Sequence, residues 1–268
     1  MARGEFHKMH GLGNDFVIID GRHTSVDIFP ARAKALADRK SGVGCDQLIL
    51  LEPSTSADVR MRIFNQDGSE AESCGNATRC VVALIGHDVR IETAGGLIDG
   101  EYHETDITLQ MPPPRFAWQD IPLAFAMDSA AMPLAWEQLA GPMAVNVGNP
   151  HAVFFVDNAD AIELQRLGPV IENDAAFPER VNVNVASINN GAVRLRVWER
   201  GVGLTRACGT GACATAIAAI RQGKVTSPVD VHQAGGTLTI GWQPGGPISM
   251  TGGTSYVFKG EIDWDDFG

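Results

Sequence analysis

The sequence predicts an α+β protein of two similar halves, each a mostly antiparallel sheet wrapped around one buried helix. Three observations carry this. Pro112-Pro113-Pro114, followed by a stretch running to Pro122, breaks the pattern near the middle of the 268 residues; three consecutive prolines offer no backbone donors and favour extended geometry, as a linker does. Two cysteine segments, Cys74-Gly75-Asn76 and Cys208-Gly209-Thr210, lie 134 residues apart, and two Gly-Asn pairs, ending at Asn14 and Asn149, lie 135 apart. A recurrence at one offset is the signature of a doubled chain. The runs after each cysteine, Val81 to Ile85 and Ala212 to Ile220, are apolar on nearly every face, and such a helix has to be buried.

The halves are expected at 1–116 and 117–256, with 257–268 as a tail packing back on the first half. Short β-branched runs mark strands at Phe16 to Asp20, Leu48 to Leu51, Val59 to Asn65, Ile107 to Met111, Ala152 to Val156, Val193 to Glu199 and Leu238 to Trp242. Ala31 to Lys40 reads as an exposed amphipathic helix. Two further pairs fit the offset: Asn65 and Glu199 each precede their cysteine by nine residues, and Gln47 and Asn182, polar in apolar surroundings, are 135 apart.

Composition narrows the function. Apolar residues make up 44% and charged ones 20%, and the net charge is −11 with no basic block. Nucleic-acid binding needs clustered positive charge, so no such partner is expected. No apolar run approaches the roughly 18 residues of a membrane span. The first residues, Met-Ala-Arg-Gly-Glu-Phe-His-Lys, lack an apolar signal core, so a cytoplasmic protein is expected. Five cysteines are too few, and odd in number, for a secreted disulfide framework.

Helix-start N–H groups have no internal partners and carry partial positive charge, so a cysteine there is biased towards thiolate and a carboxylate can dock beside it. Repetition at both helix starts favours that role for Cys74 and Cys208 over simple packing. Cys45, Cys80 and Cys213 read as core fillers. Structural zinc prefers Cys-x(2–4)-Cys pairs; here five and four residues intervene and the inner cysteines point elsewhere on a helix, so no metal is expected. Gly209-Thr-Gly211-Ala-Cys-Ala214 fits a dinucleotide fingerprint with Asp230 beyond it. However, a charged, glycine-rich stretch intervenes where a strand should directly precede it. A non-catalytic sensor using the cysteine pair as a redox switch is a further alternative. Two thiols facing one carbon could instead remove a proton from one side and return one to the other, with no pyridoxal group.

Lys8-Met-His-Gly-Leu-Gly-Asn-Asp-Phe16, Asn65-Gln-Asp-Gly-Ser-Glu-Ala with Cys74-Gly-Asn76, Gly148-Asn-Pro-His151, Glu199-Arg-Gly-Val-Gly203 and Ala207-Cys-Gly-Thr-Gly-Ala-Cys213 together resemble the diaminopimelate epimerases. The likeness runs from about residue 6 to about 262. It implies a cofactor-independent interconversion of LL- and meso-diaminopimelate on the bacterial route to lysine and peptidoglycan, with two pseudo-symmetric domains closing over the substrate. By this resemblance Cys74 and Cys208 are the acid/base pair, while Gly75-Asn76 and Gly209-Thr210 hold the reacting carboxylate. Asn14, Gln47, Asn65, Asn149, Asn182, Glu199 and Arg200 match substrate-binding positions, with Glu199 counted among the catalytic set as well. His151 matches a position that supports catalysis without carrying the proton. A homodimer is a further expectation on which the sequence is silent. Leu204, Ala234, Gly253 and Asn184 depart from the usual pattern and leave room for a racemase of another amino acid, such as histidine or proline.

Overall fold

The computed structural model describes residues 3–24 and 26–267; Met1, Ala2, Ser25 and Gly268, which the expected leader-free start and the two outer boundaries include, lie outside the described residues. Contacts divide the chain into one unit of 1–109 with 252–268, and a second of 110–251. Both changeovers fall a few residues before the expected 116/117 and 256/257.

The first unit runs β1 (Arg3–Gly11), β2 (Asn14–Asp20), α1 (Pro30–Ala37), β3 (Gln47–Glu52), β4 (Val59–Asn65), β5 (Glu70–Ala71), α2 (Gly75–Ile85), β6 (Val89–Thr93), β7 (Gly96–Tyr102) and β8 (Ile107–Met111). The second runs β9 (Ala135–Trp136), β10 (Leu139–Ala140), β11 (Met143–Asn146), β12 (Pro150–Phe155), α3 (Leu164–Glu172), β13 (Asn182–Asn189), β14 (Ala192–Glu199), β15 (Gly203–Thr205), α4 (Gly209–Arg221), β16 (Val229–Gln233), β17 (Gly236–Trp242) and β18 (Ile248–Gly252). The chain then makes β19 (Ser255–Asp263), which pairs antiparallel with β1 from Arg3↔Asp263 to His10↔Ser255.

The doubling is visible strand by strand. In the first unit β2–β3 and β4–β6 are parallel, and β3–β4, β4–β5 and β6–β7 antiparallel. In the second, β12–β13 and β14–β16 are parallel, and β13–β14, β14–β15 and β16–β17 antiparallel. The α+β class with two related, mostly antiparallel units is therefore as expected.

Each central helix is enclosed by its own strands. α2 packs against β1, β2, β6 and β7, and α4 against β11, β12, β13, β14, β16 and β17. Ala212, Ala214, Ala216, Ile217, Ala218 and Ala219 are all fully buried. Strands on every side leave room for small residues, which explains an apolar helix without a polar face. On the outer side of the first sheet, Phe6, Val17, Ile19, Leu48, Leu50 and Phe64 pack with Leu36 of α1 and with Ile262 and Trp264 of the C-terminal segment.

Two expectations change. The first helix ends at Ala37 rather than Lys40, because Asp38 turns extended and its carboxylate takes the backbone N–H groups of Lys40 (2.8 Å) and Ser41 (2.7 Å). The helix α3 was not legible, since Gly168 and Pro169 argue against one. Burial of Leu164, Leu167 and Ile171 outweighs propensity there. Gly168 is required by packing, because a Cβ would sit 2.5 Å from the Trp198 ring.

Candidate active site

Cys74 is the residue before α2, and Cys208 the residue before α4, each in extended geometry. The sequence places them there in the same way: an apolar helix, a Gly at its first position, and a strand-like turn before it.

In the first unit, Leu12 (φ 55°) and Gly13 (φ 87°) form the two-residue left-handed turn between β1 and β2, the geometry that matches strand twist. It presents Asn14, whose Oδ1 lies 3.8 Å from Cys74 Sγ. Gln47 and Asn65 are register partners at the ends of β3 and β4. Gln47 Nε2 donates to Asn65 Oδ1 at 3.0 Å, and Asn65 Nδ2 donates to Ser69 Oγ at 3.1 Å. Gln47 Oε1 is buried without a hydrogen-bond partner among the described residues. Gly75 and Asn76 are the first two residues of α2, and the Asn76 side chain reaches Asn14.

In the second unit, Gly211 N–H donates to Cys208 Sγ at 3.3 Å, Thr210 Oγ1 lies 3.5 Å from that sulfur, and Cys208 N–H donates to Gln233 Oε1 at 2.8 Å. The Glu199 carboxylate accepts from Thr205 Oγ1 at 2.5 Å and from the Cys208 thiol. Burial, then the Glu199 charge, push the Cys208 thiol well above its ordinary value. This reverses the expected thiolate bias at that helix start: one N–H donor and partial helix charge do not offset removal from water beside a carboxylate. Glu199 is itself raised by burial.

Gly148 (φ 112°) turns the chain so that Asn149 precedes β12. Asn149 Oδ1 lies 2.8 Å from His151 Nε2, and His151 Nδ1 lies 2.9 Å from Asn184 Nδ2. Asn184 donates to Nδ1, so the ring hydrogen sits on Nε2 and points at Asn149. His151 is fully buried, and burial, with the nearby Arg200 charge, lowers it to about 3 despite the Asn184 hydrogen bond. It is therefore a neutral ring that orients Asn149. Asn182 uses its amide on the protein: Nδ2 donates to Pro150 O (2.8 Å), and Oδ1 accepts from Arg200 N–H (3.0 Å). Arg200 Nη1 donates to Glu179 O at 2.9 Å.

Several residues here were not anticipated: Gln233 and Asn184, which hold Cys208 and His151; Asp46 and Arg79, which border Asn14 and Asn76; and Glu172, under the Glu199–Gly203 turn. A polar residue between valines was the available signal for Asn184, and Gln233, at the end of the polar-patterned β16, offered none. None existed for Glu172, which sits on the unrecognised helix. Among the described residues, no group of three His, Cys, Asp or Glu side chains could hold a metal ion. No helix among them is long and apolar enough to cross a membrane, which says nothing of a β-barrel.

The doubled fold has solved counterparts. A hydroxyproline epimerase from Agrobacterium vitis covers 98% of this chain and 91% of its own at a TM-score of 0.68 and 17% identity. A PhzF-family phenazine biosynthesis protein from Bacillus anthracis covers 98% and 100% at 0.69 and 16%. At such identities the likeness is one of fold alone. Sequence resolves it further. The diaminopimelate epimerase family model matches residues 6–117 and 143–257, and the chain belongs to that family. Diaminopimelate epimerases from Rhizorhabdus wittichii and Sphingopyxis alaskensis are 64% and 61% identical, over 98% of this chain and 97% and 98% of their own.

Proposed function

We propose that this protein interconverts LL- and meso-diaminopimelate, with Cys74 and Cys208 as the two proton carriers. One thiolate takes the α-proton, and the opposite thiol gives a proton to the other face of the same carbon. The observation that carries the reading is the matched pair of thiols, each standing before a buried central helix. Free helix-start N–H groups beside both can hold the substrate carboxylate and the negative charge that builds on it as the proton leaves.

The Glu199 carboxylate beside Cys208 has a chemical use. It makes that sulfur hold its proton more tightly, so its thiolate is the stronger base for a carbon acid weaker than any thiol. Asn14, Gln47, Asn65, Asn149, Asn182 and Arg200 supply the donors and acceptors that a ligand with two amino-acid ends requires, and the guanidinium suits its second carboxylate. Gln47 Oε1, buried without a partner, is available to an ammonium. Two protein thiols and these polar groups suffice for the proton transfers, without a pyridoxal group. We place the enzyme in the cytoplasm, where both thiols stay reduced, and propose that it assembles as a homodimer.

Incubation with LL-diaminopimelate in deuterated water tests the reading. Meso product carrying deuterium at one α-carbon is expected, and Cys74→Ala and Cys208→Ala each abolish its formation. Failure of the wild-type chain to form meso product overturns the substrate, and full activity in either variant overturns the two-base assignment.

A further inference from the structure

We propose that Asp46 and Arg79 are positioning residues that together fix the amide polarity of Asn14 and Asn76, and so hold a hydrogen-bond acceptor against the Cys74 thiol. The inference rests on Cys74 as a proton carrier and deepens that reading.

An asparagine amide can turn by 180° with little change of shape, so only its partners decide which end faces which neighbour. Both ends of this chain of amides are unambiguous. Arg79 is a donor only, and it is fully buried on α2. Its Nη2 donates to Asn76 Oδ1 at 2.8 Å. That turns Asn76 Nδ2 towards Asn14, where it donates to Oδ1 at 3.3 Å. At the other end an ionised carboxylate only accepts, and Asp46 Oδ2 takes Asn14 Nδ2 at 2.9 Å. The two ends assign the same orientation to Asn14 independently: its NH2 is spent on Asp46, and its carbonyl faces Cys74 Sγ, 3.8 Å away.

Asp46 is itself held. Its Oδ1 accepts from Arg39 Nη2 at 2.7 Å, and its Oδ2 also accepts from Asp15 N–H at 3.1 Å. Asp15 pairs with Lys8 and Arg39. A fixed carbonyl accepts from a thiol and repels a thiolate, so the arrangement weights Cys74 towards its protonated form. In the second unit the acceptor against the sulfur is the Glu199 carboxylate instead of an amide: Cys208 Sγ also accepts from Gly211 N–H, and the Asn149 carbonyl is taken by His151.

The test is the rate at which iodoacetamide modifies Cys74 in the full-length chain, followed by mass spectrometry of its peptide. Asp46→Asn is close in shape at a partly exposed position, and it removes the stronger hold on Asn14 (2.9 Å to a carboxylate), leaving only the longer 3.3 Å bond from Asn76, so that Asn14 can turn and present its NH2. Modification of Cys74 at neutral pH should then quicken about tenfold, the effect of exchanging one acceptor for one donor to a charged group. At a pH where Cys74 is thiolate in both proteins the two rates should converge. In an Asn14→Ala background, Asp46→Asn should add nothing. If Asp46→Asn does not fold, Asn14→Ala alone still tests the idea, by a faster neutral rate that converges at high pH. Equal neutral rates overturn the proposal, and so does a gain that persists at high pH, which would report loosened packing instead. No turnover is needed, so the outcome is decided separately from whether the chain epimerises diaminopimelate.

Discussion

Glu172 ends α3 with a carboxylate that is 5% exposed and surrounded by donors. It accepts from Trp198 Nε1 at 2.7 Å, Gly201 N–H at 2.8 Å and Arg180 Nη1 at 3.4 Å. The first two flank Glu199 and Arg200, so this carboxylate fixes the turn that presents both. Glu172→Gln keeps the volume but replaces one acceptor oxygen by an NH2. That group has to face Trp198 or Gly201, and leaves a buried N–H unpaired at a cost of about 1–3 kcal/mol. The surviving bond also loses its charge, for about 1 kcal/mol more. The sum, about 2–4 kcal/mol, corresponds to a fall in Tm of about 4–16 °C at roughly 2–4 °C per kcal/mol for a chain of this size. Thermal unfolding followed by circular dichroism reads the first effect. Steady-state kinetics with diaminopimelate reads the second: the turn carries Arg200, so KM should rise more than kcat falls. A Tm within 2 °C of wild type together with an unchanged KM would show that Glu172 does not hold the turn.

Two further outcomes follow from burial. His151 is neutral when folded and is lowered to about 3 from an ordinary 6.5, so the unfolded chain binds the extra proton between those values. Stability is therefore full above pH 6.5 and drains as pH falls towards 3, by about 3 kcal/mol at pH 4. His151→Gln should flatten this acid limb in denaturant titrations at pH 4 and 7, and an equally steep limb in the variant would count against it. Burial also ranks the thiols: Cys74 is half-buried, whereas Cys208 is buried and raised, and Cys45 and Cys80 are pushed up to about 12. Iodoacetamide at pH 8 should modify Cys74 first, by peptide mass spectrometry; earlier modification of Cys208 would refute that ranking.

The sequence was most informative where a residue's role depends on its neighbours along the chain. The strands Val59 to Asn65 and Ile107 to Met111 fall where alternation places them, and both cysteines precede the helices that their apolar runs demand. A strand of mixed composition, such as β1, gave little periodic signal. β1 carries Arg3, Glu5, His7 and Lys8 because it lies beside β19, many of whose residues are exposed.

By itself, then, the amino-acid order determined the doubling, the two helix-start thiols and the polar residues recurring at one offset. These are repeats, and a repeat is a linear property. Tertiary structure alone decided which end of each amide faces which partner, that His151 is neutral, and that Cys208 sits beside Glu199 with its proton held tightly. Those outcomes depend on removal from water and on donors or acceptors arriving from segments far apart in the chain. Hydration and hydrogen-bond polarity are properties of an enclosed space, which a linear order of residues does not specify until it has folded.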